Sequence, residues 1–436
     1  MRMCLTGDLG GYYTASIGQD RDQFGVKGDF VTSPEISQIF GELVGLWFIA
    51  EWISQGQPKQ GVQLIEVGPG RGTLMDDMLR TIKRFPAMRD SIESVFMVEA
   101  SPELREKQKK LLCGSDTASE DCEAGFRSAE KYSGKPVIWA ESLKSIPIES
   151  NKVPFIVAHE FFDALPIHCF QSVLAPASPP RTTSISRPPS THVNPPPTCE
   201  WREMMVSPTP PAEAAPNHAE AKPAGTAASA AEFQLILSSK PTRHSRYLPE
   251  SSPRYRHLKQ PPGSVVEICP DASLYAADFA TRIGGSDEVK KPQPCGAALI
   301  LDYGTSDTVP INSLRGIRHH THVSPFSAPG LVDLSADVDF TAIAEAATLA
   351  SDGVEVHGPV PQADFLELMG IRQRAEMLIK AAGTDESTAD RIRRSWRRLV
   401  DRGPSGMGKV YKALAILPEN DGRRRPVGFG GDVSSS

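Results

Sequence analysis

The sequence predicts an α/β fold in which helices cover both faces of a mostly parallel β-sheet. Patterns typical of strands alternate along the chain with patterns typical of helices. Several of the strands are apolar throughout, as parallel strands buried on both faces are. The first of these strands, at 62–67, runs into a cluster of glycines from which a helix begins. The chain has 436 residues, which is enough for one large α/β domain with additions or for two domains.

Each element follows from the residue pattern of its segment. Strands are predicted at 62–67, 95–99, 137–139, 154–159, 167–173, 201–206, 233–238, 265–268, 297–301 and 411–417. Helices are predicted at 74–85, 102–112, 270–283, 340–350 and 365–380. In the first helix Leu74, Met78 and Ile82 share one face, and Pro102 starts the second helix. The strands at 201–206 and 233–238 are interpreted as one hairpin.

Two segments interrupt this pattern, and both are rich in proline. The segment 175–198 is dense in Pro, Ser and Thr, and 207–231 is dense in Pro and Ala. Such compositions bury too little apolar surface to offset the entropy lost on ordering, so both are predicted to be disordered insertions. The tail after Asn420 is rich in Arg, Gly and Ser and is also expected to be disordered. A short acidic segment, 114–123, is expected between a helix and the next strand.

The bulk composition argues against several classes of protein. The chain has a net charge of −6, whereas a protein that binds nucleic acid normally carries a basic surface. Seven scattered cysteines without a CxxC pair indicate neither a disulfide framework nor a zinc site, and no metal is predicted. Without a run of about 18 apolar residues, no membrane insertion is expected. The first residues show neither a signal region nor a basic leader, so either no presequence exists or the chain begins after it.

The strongest motif is a glycine loop between a strand and a helix, with an acid just before it. Glu66, Gly68, Gly70 and Gly72 are spaced Glu-x-Gly-x-Gly-x-Gly. Glycines let the backbone turn sharply and approach a nucleotide closely. Because Glu66 would repel a pyrophosphate but suits a cationic sulfonium or amino group, S-adenosyl-L-methionine is the predicted cofactor. Glu99 ends the next strand, where an acid accepts hydrogen bonds from both ribose hydroxyls. The alternative is an ordinary glycine-rich turn with two solvated carboxylates.

A second motif, His159-Glu160-Phe161-Phe162-Asp163, follows the fourth predicted strand. In an open α/β sheet, ligands lie outside the carboxyl ends of the strands, so His159, Glu160 and Asp163 are the candidate catalytic residues. A carboxylate pairs well with the planar fork of a guanidinium, and orienting such an acceptor would supply much of the rate. The alternative is that both acids only begin a helix and that the two phenylalanines are core.

A third motif is the tripeptide Ser33-Pro34-Glu35. It has the pattern of a helix N-cap followed by proline, which explains these residues by itself. The upstream Gly-Gly-Tyr-Tyr at 10–13 also suits a close-packed lid over a ligand, so both interpretations stay open. The histidines at 319, 320 and 322 are interpreted as a polar loop rather than as metal ligands.

Several blocks together resemble a known family. They are MRMCL…GGYY at 1–13, GDFVTSPEISQIFGELVG at 28–45, IEVGPGRGTLMDDML at 65–79, EFFDALPIHCFQ at 160–171, LDYG at 301–304, LRGIRHHTHVSPFSAPGLVDLSADVDFTAIAEAA at 314–347 and GMGKVYKALA at 406–415. The chain resembles the MidA-type family of methyltransferases dependent on S-adenosyl-L-methionine. The eukaryotic members of that family are mitochondrial complex I assembly factors that act as protein arginine methyltransferases.

The resemblance implies a Rossmann-like class I methyltransferase core with an added helical subdomain. It implies symmetric ω-dimethylation of an arginine in a matrix-arm subunit of NADH:ubiquinone oxidoreductase, in the mitochondrial matrix. It places Gly68, Gly70 and Gly72 in the cofactor loop and Glu99 at the ribose. It places the 33–35 block on the cofactor side and the 160–163 block after the fourth strand.

The predicted organisation combines the patterns with the resemblance. It comprises an N-terminal cofactor-side and helical segment at 1–60, the first part of the core at 61–171, a strand hairpin with low-complexity insertions at 172–262, the second part of the core with the helical subdomain at 263–419, and a disordered tail at 420–436.

Two departures from the family pattern bear on the acceptor and on the insertions. His159 stands where the family usually has Asn, and the two side chains differ in donor pattern and charge. The two proline-rich insertions are foreign to the family but fall at strand connections, where long loops cost little.

Two other functions remain as alternatives. The first is a non-catalytic complex I assembly chaperone that keeps a methyltransferase fold. The second is a methyltransferase for small molecules or nucleic acid, against which the acidic balance weighs. The intact glycine loop and Glu160 favour an enzyme.

Overall fold

A computed structural model of the chain describes residues 1–8, 10–14, 25, 28–175, 198–210 and 231–430. The chain divides into two compact units. The first consists of Met1–Pro166, Asp271–Thr308 and Leu314–Ser436, and the second of Ile167–Pro270 and Val309–Ser313. The second unit contains the predicted hairpin segment 172–262 but begins before it and ends after it.

The described residues form 17 strands and 13 α-helices. The strands are β1 (Val62–Val67), β2 (Ile92–Val98), β3 (Glu120–Cys122), β4 (Gly125–Ala129), β5 (Pro136–Ala140), β6 (Val153–His159), β7 (His168–Leu174), β8 (Cys199–Pro208), β9 (Phe233–Leu237), β10 (Val265–Ile268), β11 (Ala297–Thr305), β12 (Arg315–Arg318), β13 (Thr321–Val323), β14 (Asp333–Ser335), β15 (Val338–Asp339), β16 (Val354–Pro361) and β17 (Tyr411–Pro418). The helices are α1 (Arg2–Thr6), α2 (Ser33–Ile36), α3 (Gln38–Ser54), α4 (Thr73–Ile82), α5 (Pro86–Ser91), α6 (Pro102–Cys113), α7 (Arg243–Tyr247), α8 (Pro253–His257), α9 (Pro270–Gly284), α10 (Phe340–Ala350), α11 (Gln362–Leu368), α12 (Ile371–Ala381) and α13 (Glu386–Val400).

The first unit is built on a ten-stranded mixed sheet with the order β16-β17-β11-β6-β1-β2-β5-β4-β3, and β15 pairs with β11. The five central strands, β11, β6, β1, β2 and β5, run parallel, while antiparallel strands complete both edges. This confirms the predicted α/β class with a mostly parallel sheet. A smaller sheet, β13-β12-β14, belongs to the same unit.

The register of the central strands determines where the polar motifs meet. Val67, the last residue of β1, pairs with Val98 of β2 and with Ala158 of β6. The residues that follow these three strands therefore emerge together at one edge of the sheet. The glycine loop, Glu99 and the His159–Glu160 pair are brought to this edge.

Helix α3 covers part of the central sheet and lies in the segment 1–60 that was predicted to be helical, although its bounds were not predicted. Twelve of its seventeen residues are buried, among them Phe40, Trp47 and Trp52. A helix that is apolar on all sides shows no amphipathic period, so the pattern used to find helices does not reveal it. The bounds of helix α13 were not predicted either. It carries a run of arginines and only two fully buried residues, Ala389 and Leu399.

Three local predictions differ from the structure. The single helix predicted at 365–380 is two helices, α11 and α12, because Gly370 adopts a left-handed φ of 85° between them. Thr32, not Ser33, is the N-cap of α2, and Ser33 is its first residue. The strand predicted at 297–301 extends to Thr305, so Asp302 lies within β11.

The segment 421–430 packs on the first unit, whereas disorder was predicted from residue 420 onwards. The indole Nε1 of Trp47 donates to the carbonyl of Val427 at 3.0 Å. The ring of Phe429 contacts those of Trp47 and Phe365, with centroids 6.2 and 5.6 Å away. The composition-based prediction misses this because one aromatic side chain anchors an otherwise polar stretch. The last six residues lie outside the described residues.

The second unit is an antiparallel sheet with the order β10-β7-β8-β9. Strands β8 and β9 pair from Met204↔Leu237 to Pro208↔Phe233, which confirms the predicted hairpin. Strands β7 and β8 pair as far as Leu174↔Cys199. The predicted insertions 175–198 and 207–231 follow these terminal pairs and lie almost entirely outside the described residues. Phe170, Trp201, Tyr255, Val266 and Ile268 form the buried core of this unit.

Within the described ranges, no helix combines the length and the apolar character needed to cross a membrane.

Candidate active site

A cavity of about 500 Å³ lies in the first unit at the carboxyl ends of the central strands. This volume suits a small-molecule ligand. Its wall combines the glycine loop, the residues after β2, β5 and β6, the N-terminal segment and one side of α9. The predicted residues that line it are Pro34, Glu35, Glu66, Gly68, Gly70, Glu99, His159 and Glu160. Ser33, Gly72 and Asp163 do not line it.

The glycine loop needs its glycines for conformation and for space. Gly68, Gly70 and Gly72 have φ values of 68°, 52° and 83°, a region that other residues rarely adopt. A Cβ atom on Gly68 would lie 2.6 Å from Cδ2 of Phe161. The N–H of Gly68 donates to the carbonyl of Val98 at 3.0 Å, which ties the loop to β2. The loop is therefore a fixed backbone surface rather than a flexible turn.

Gln108 on α6 holds the glycine loop and Glu99 together. Its Nε2 donates to the carbonyl of Gly70 at 2.7 Å and to Oε2 of Glu99 at 3.3 Å. Its Oε1 accepts from the indole Nε1 of Trp139 at 3.0 Å. Since Gln108 is fully buried, all three contacts are shielded from water. This role could not be predicted from the sequence, because a single glutamine on a helix forms no recognisable motif.

Glu66 and Glu99 are buried acids that face the cavity. Burial raises the pKa of both carboxyls, that of Glu99 to about 7. Oε1 of Glu99 accepts from the N–H of Ser101 at 2.8 Å. Among the described residues, Oε2 of Glu66 has no hydrogen-bond partner. A buried acceptor left without a donor costs free energy, so this wall of the cavity fits a ligand that brings N–H, O–H or positive charge.

Glu160 follows β6 in a strained conformation, with a φ of 48°. Asp302 on the neighbouring strand holds the turn in place, since its Oδ2 accepts from the N–H groups of Phe161, Phe162 and Asp163 at 3.1, 2.8 and 3.3 Å. The carboxylate of Glu160 accepts from the N–H of Ser33 at 3.4 Å. Burial, and then the nearby charge of Asp163, raise its pKa well above the usual value. Glu160 is thus a preorganised buried acid in the cavity wall.

His159 precedes Glu160 and lies beneath it. Burial lowers the pKa of His159 to about 3, so its imidazole is neutral at physiological pH. Its Nε2 lies 3.3 Å from Oε1 of Glu160, but the atoms are not aligned for a hydrogen bond. The ring packs on Phe40 with centroids 5.1 Å apart. His159 therefore does not act as a charged partner of Glu160.

Asp163 is held away from the cavity. Its Oδ2 accepts from the hydroxyl of Tyr303 at 2.6 Å, and the backbone N–H of Ala336 donates to its carbonyl at 3.0 Å. Asp163 does not line the cavity, and its catalytic role stays a prediction. Its charge lies close enough to Glu160 to raise the pKa of that carboxyl.

The N-terminal block contributes to the same wall. Pro34 and Glu35 line the cavity, and Arg71 of the glycine loop forms an ion pair with Glu35, with Nη1 3.1 Å from Oε1. Ser33 is buried beneath them, and its role is the backbone N–H that reaches Glu160. Gly72 is the N-cap of α4, behind the loop. Helix α1 also lines the cavity, and its Arg2 pairs with Asp271 at the start of α9.

Sequence reasoning missed two groups of lining residues. Residues 141–144 follow β5 and enter the cavity wall. Ligands lie at the carboxyl ends of parallel strands, and β5 is one of these strands. This group could therefore have been predicted from the sequence. Tyr275 on α9 also lines the cavity, with its ring 4.9 Å from that of Phe161. No sequence pattern distinguishes it from an ordinary helical tyrosine.

Comparison with known proteins decides the family. Residues 43–360 match the model of the family described as "Putative S-adenosyl-L-methionine-dependent methyltransferase". The chain belongs to this family. Its members depend on S-adenosyl-L-methionine, and this methyltransferase carries the residues that fit such a cofactor. Glu66, Gly68 and Gly70 line the cavity, and Oε2 of Glu66 has no hydrogen-bond partner among the described residues.

Relatives of this methyltransferase extend over nearly its whole length. "Protein arginine methyltransferase NDUFAF7, mitochondrial" from Danio rerio is 33% identical over 419 residues, which cover 96% of this chain and 82% of the relative. The protein of the same name from Homo sapiens is 32% identical over 422 residues, covering 96% and 79%.

Solved structures agree with the fold of this methyltransferase. A crystal structure from Burkholderia thailandensis bound to S-adenosyl-homocysteine superimposes with a TM-score of 0.64, at 21% identity, covering 99% of this chain and 87% of that one. A native crystal structure from the same organism gives a TM-score of 0.61, also at 21% identity. These likenesses confirm the Rossmann-like α/β core.

Proposed function

We propose that this methyltransferase modifies protein arginine, producing symmetric ω-dimethylarginine on a matrix-arm subunit of complex I in the mitochondrial matrix. The observation that carries the proposal is the buried carboxyl of Glu160 in the cavity wall, beside the glycine loop. The names of relatives that match 96% of the chain support the arginine acceptor and the mitochondrial location.

The cofactor side of the cavity consists of the glycine loop and the two acids. Gly68 and Gly70 offer close backbone contact, Glu66 offers an acceptor for positive charge, and Glu99 offers one for ribose hydroxyls. Bound S-adenosyl-L-methionine supplies an electrophilic methyl group carried on a sulfonium. Gln108 keeps the loop and Glu99 at a fixed separation, so the reorganisation on binding is small.

The acceptor side is Glu160. A guanidinium entering the cavity would pair with this carboxylate and relieve the cost of its burial. The pairing would fix the guanidinium plane, so that one terminal nitrogen points at the methyl carbon. As the N–C bond forms and the S–C bond breaks with its electron pair moving to sulfur, the nitrogen loses a proton. Glu160 is positioned to receive it, because burial favours the protonated carboxyl. Most of the rate would come from this alignment.

The remaining predicted residues have supporting roles in this proposal. Ser33 donates its backbone N–H to Glu160, and Asp302 holds the turn that places Glu160. Pro34 and Glu35 close the cavity next to Arg71. His159 supports the neighbouring Glu160 as a neutral imidazole packed against Phe40.

The test combines methyl transfer with product analysis. The full chain is incubated with isotope-labelled S-adenosyl-L-methionine and isolated complex I matrix-arm subunits, and labelled peptides are sequenced by mass spectrometry. We expect dimethylarginine with one methyl on each terminal nitrogen. Glu160→Gln should abolish the transfer while cofactor binding persists, and Glu149→Gln, an exposed acid outside the cavity, serves as the control.

Two results would contradict the proposal. Label on a residue other than arginine would make the acceptor wrong. Saturable cofactor binding without any methyl transfer would favour a non-catalytic assembly role instead.

A further inference from the structure

Two imidazoles converge on one carboxylate in the second unit. Nδ1 of His168 lies 3.0 Å from Oε1 of Glu203, and Nδ1 of His244 lies 3.3 Å from the same oxygen. One ligand atom from each of the three residues lies within 4.8 Å of the other two. The residues are far apart in sequence, which is why their spacing predicts no metal site.

All three side chains project from regular, fixed backbone. His168 is on β7 and Glu203 on β8, which are paired through Phe170↔Glu203. His244 is the second residue of α7, whose start is fixed by a capping box between Thr242 and Ser245. The three donors therefore share one small space without any loop having to close.

The carboxylate of Glu203 is supported by its surroundings but lacks a permanent positive partner. Its side chain is 13% exposed, and the hydroxyl of Thr242 donates to Oε2. Within the part of the chain that the structure describes, its ion pairs are with the two imidazoles, whereas the adjacent Arg202 pairs with Glu200. A bound divalent cation would balance the negative charge of this carboxylate.

The donor set and the spacing match one class of ion. Two imidazole nitrogens and one carboxylate oxygen form a ligand set typical of zinc sites with an open fourth position. Tetrahedral bonds of roughly 2.0–2.1 Å place ligand atoms about 3.3 Å apart. The two measured separations, 3.0 and 3.3 Å, agree with this spacing.

We propose that His168, Glu203 and His244 bind one zinc ion, with water as the fourth ligand. His244 is 53% exposed, so the open position faces solvent and the ion can enter without unfolding. The hydrogen bond from Thr242 orients Glu203 as outer partners commonly orient metal ligands. The ion would tie α7 to the β7–β8 ladder and stabilise the second unit. This proposal is independent of the methyltransferase function.

The test is a zinc titration of the metal-stripped full chain against a chromophoric chelator. We expect the wild type to bind one equivalent of zinc more tightly than His244→Ala by more than about 100-fold. Glu203→Gln should show the same loss. His257→Ala, an exposed histidine in the same unit, should bind as the wild type does. Circular dichroism verifies that each variant is folded, and His168→Gln replaces any variant that is not.

The seven free cysteines require a spectroscopic control, because thiols also bind zinc. Cobalt(II) in the proposed site should give visible d–d bands without the intense near-ultraviolet band of a cobalt–thiolate bond. Equal zinc affinity in the wild type and in His244→Ala would overturn the proposal, and so would a thiolate band in place of the expected spectrum. The two imidazoles would then only be hydrogen-bond partners of Glu203.

Discussion

Arg71 of the glycine loop and Glu35 of α2 form an ion pair across the cavity wall, with Nη1 3.1 Å from Oε1. The side chains are 32% and 11% exposed, so the pair is partly shielded from solvent. It joins a loop in the middle of the sheet to the N-terminal block, two parts of the sequence that the motifs identified separately. The pair makes the N-terminal block part of the cavity wall.

Breaking this ion pair should weaken cofactor binding modestly. Because partly exposed pairs contribute about 1 kcal/mol or less, Arg71→Ala and Glu35→Gln should each raise the Kd for S-adenosyl-L-methionine by roughly 2- to 5-fold. The double variant should raise this Kd little more than either single variant does, as measured by calorimetric titration. If the two effects were simply additive, the pair would not be coupled in solution.

Gly68→Ala should abolish cofactor binding. The new Cβ would lie 2.6 Å from Phe161, on a backbone with a φ of 68°. The matched control is Gly56→Ala, where φ is 83° but no atom lies within 4 Å of the new Cβ. Both changes introduce the same backbone strain, about 1 kcal/mol, which thermal denaturation measures. Only Gly68→Ala should lose binding, and equal binding in the two variants would contradict a role for the loop in the site.

Gln108→Leu should damage both stability and binding. The change leaves the carbonyl of Gly70 and the indole N–H of Trp139 without their partner in a buried position. We expect a loss of about 2–4 kcal/mol in the free energy of unfolding, from two orphaned groups. Chemical denaturation and cofactor titration give the two readouts. Gln108→Glu keeps the shape but cannot donate to Gly70, so binding should fall there as well.

The pH dependence of methyl transfer should report Glu160 and not His159. Burial raises the pKa of Glu160, and the acceptor pairs with its ionised form. Activity should therefore decline as pH falls through this raised pKa and recover above it. His159, with a pKa of about 3, stays neutral over this range. His159→Asn should leave the acidic limb of the profile where it is, whereas a displaced limb would assign the titration to His159.

Much of the core of the fold could be predicted from the sequence, because its signals are local. Strands β1 and β10 and helix α10 have the predicted bounds, since apolar runs with sharp ends define them. The bounds of helix α3 could not be predicted, because a helix buried on all sides shows no amphipathic period. One continuous helix was predicted across Gly370, although the left-handed backbone of this residue divides α11 from α12.

Part of the candidate site could be predicted, namely glycines and acids that directly follow a predicted strand. Gly68, Glu99 and Glu160 were found in this way and line one cavity. Gln108 and Asp302 were not found, because their roles depend on which backbone groups approach them in space. The His168–Glu203–His244 cluster was hidden for the same reason, since pairing of β7 and β8 and the start of α7 bring distant residues together.

The terminal pairs Leu174↔Cys199 and Pro208↔Phe233 hold the two ends of each proline-rich insertion one interstrand spacing apart. The loop between two such ends can be long, because the entropic cost of closing a loop grows only with the logarithm of its length. These two strand connections are thus sites that tolerate inserted sequence. An affinity tag or a fluorescent domain with adjacent termini, placed at either connection, should therefore leave the sheet and the first unit unchanged.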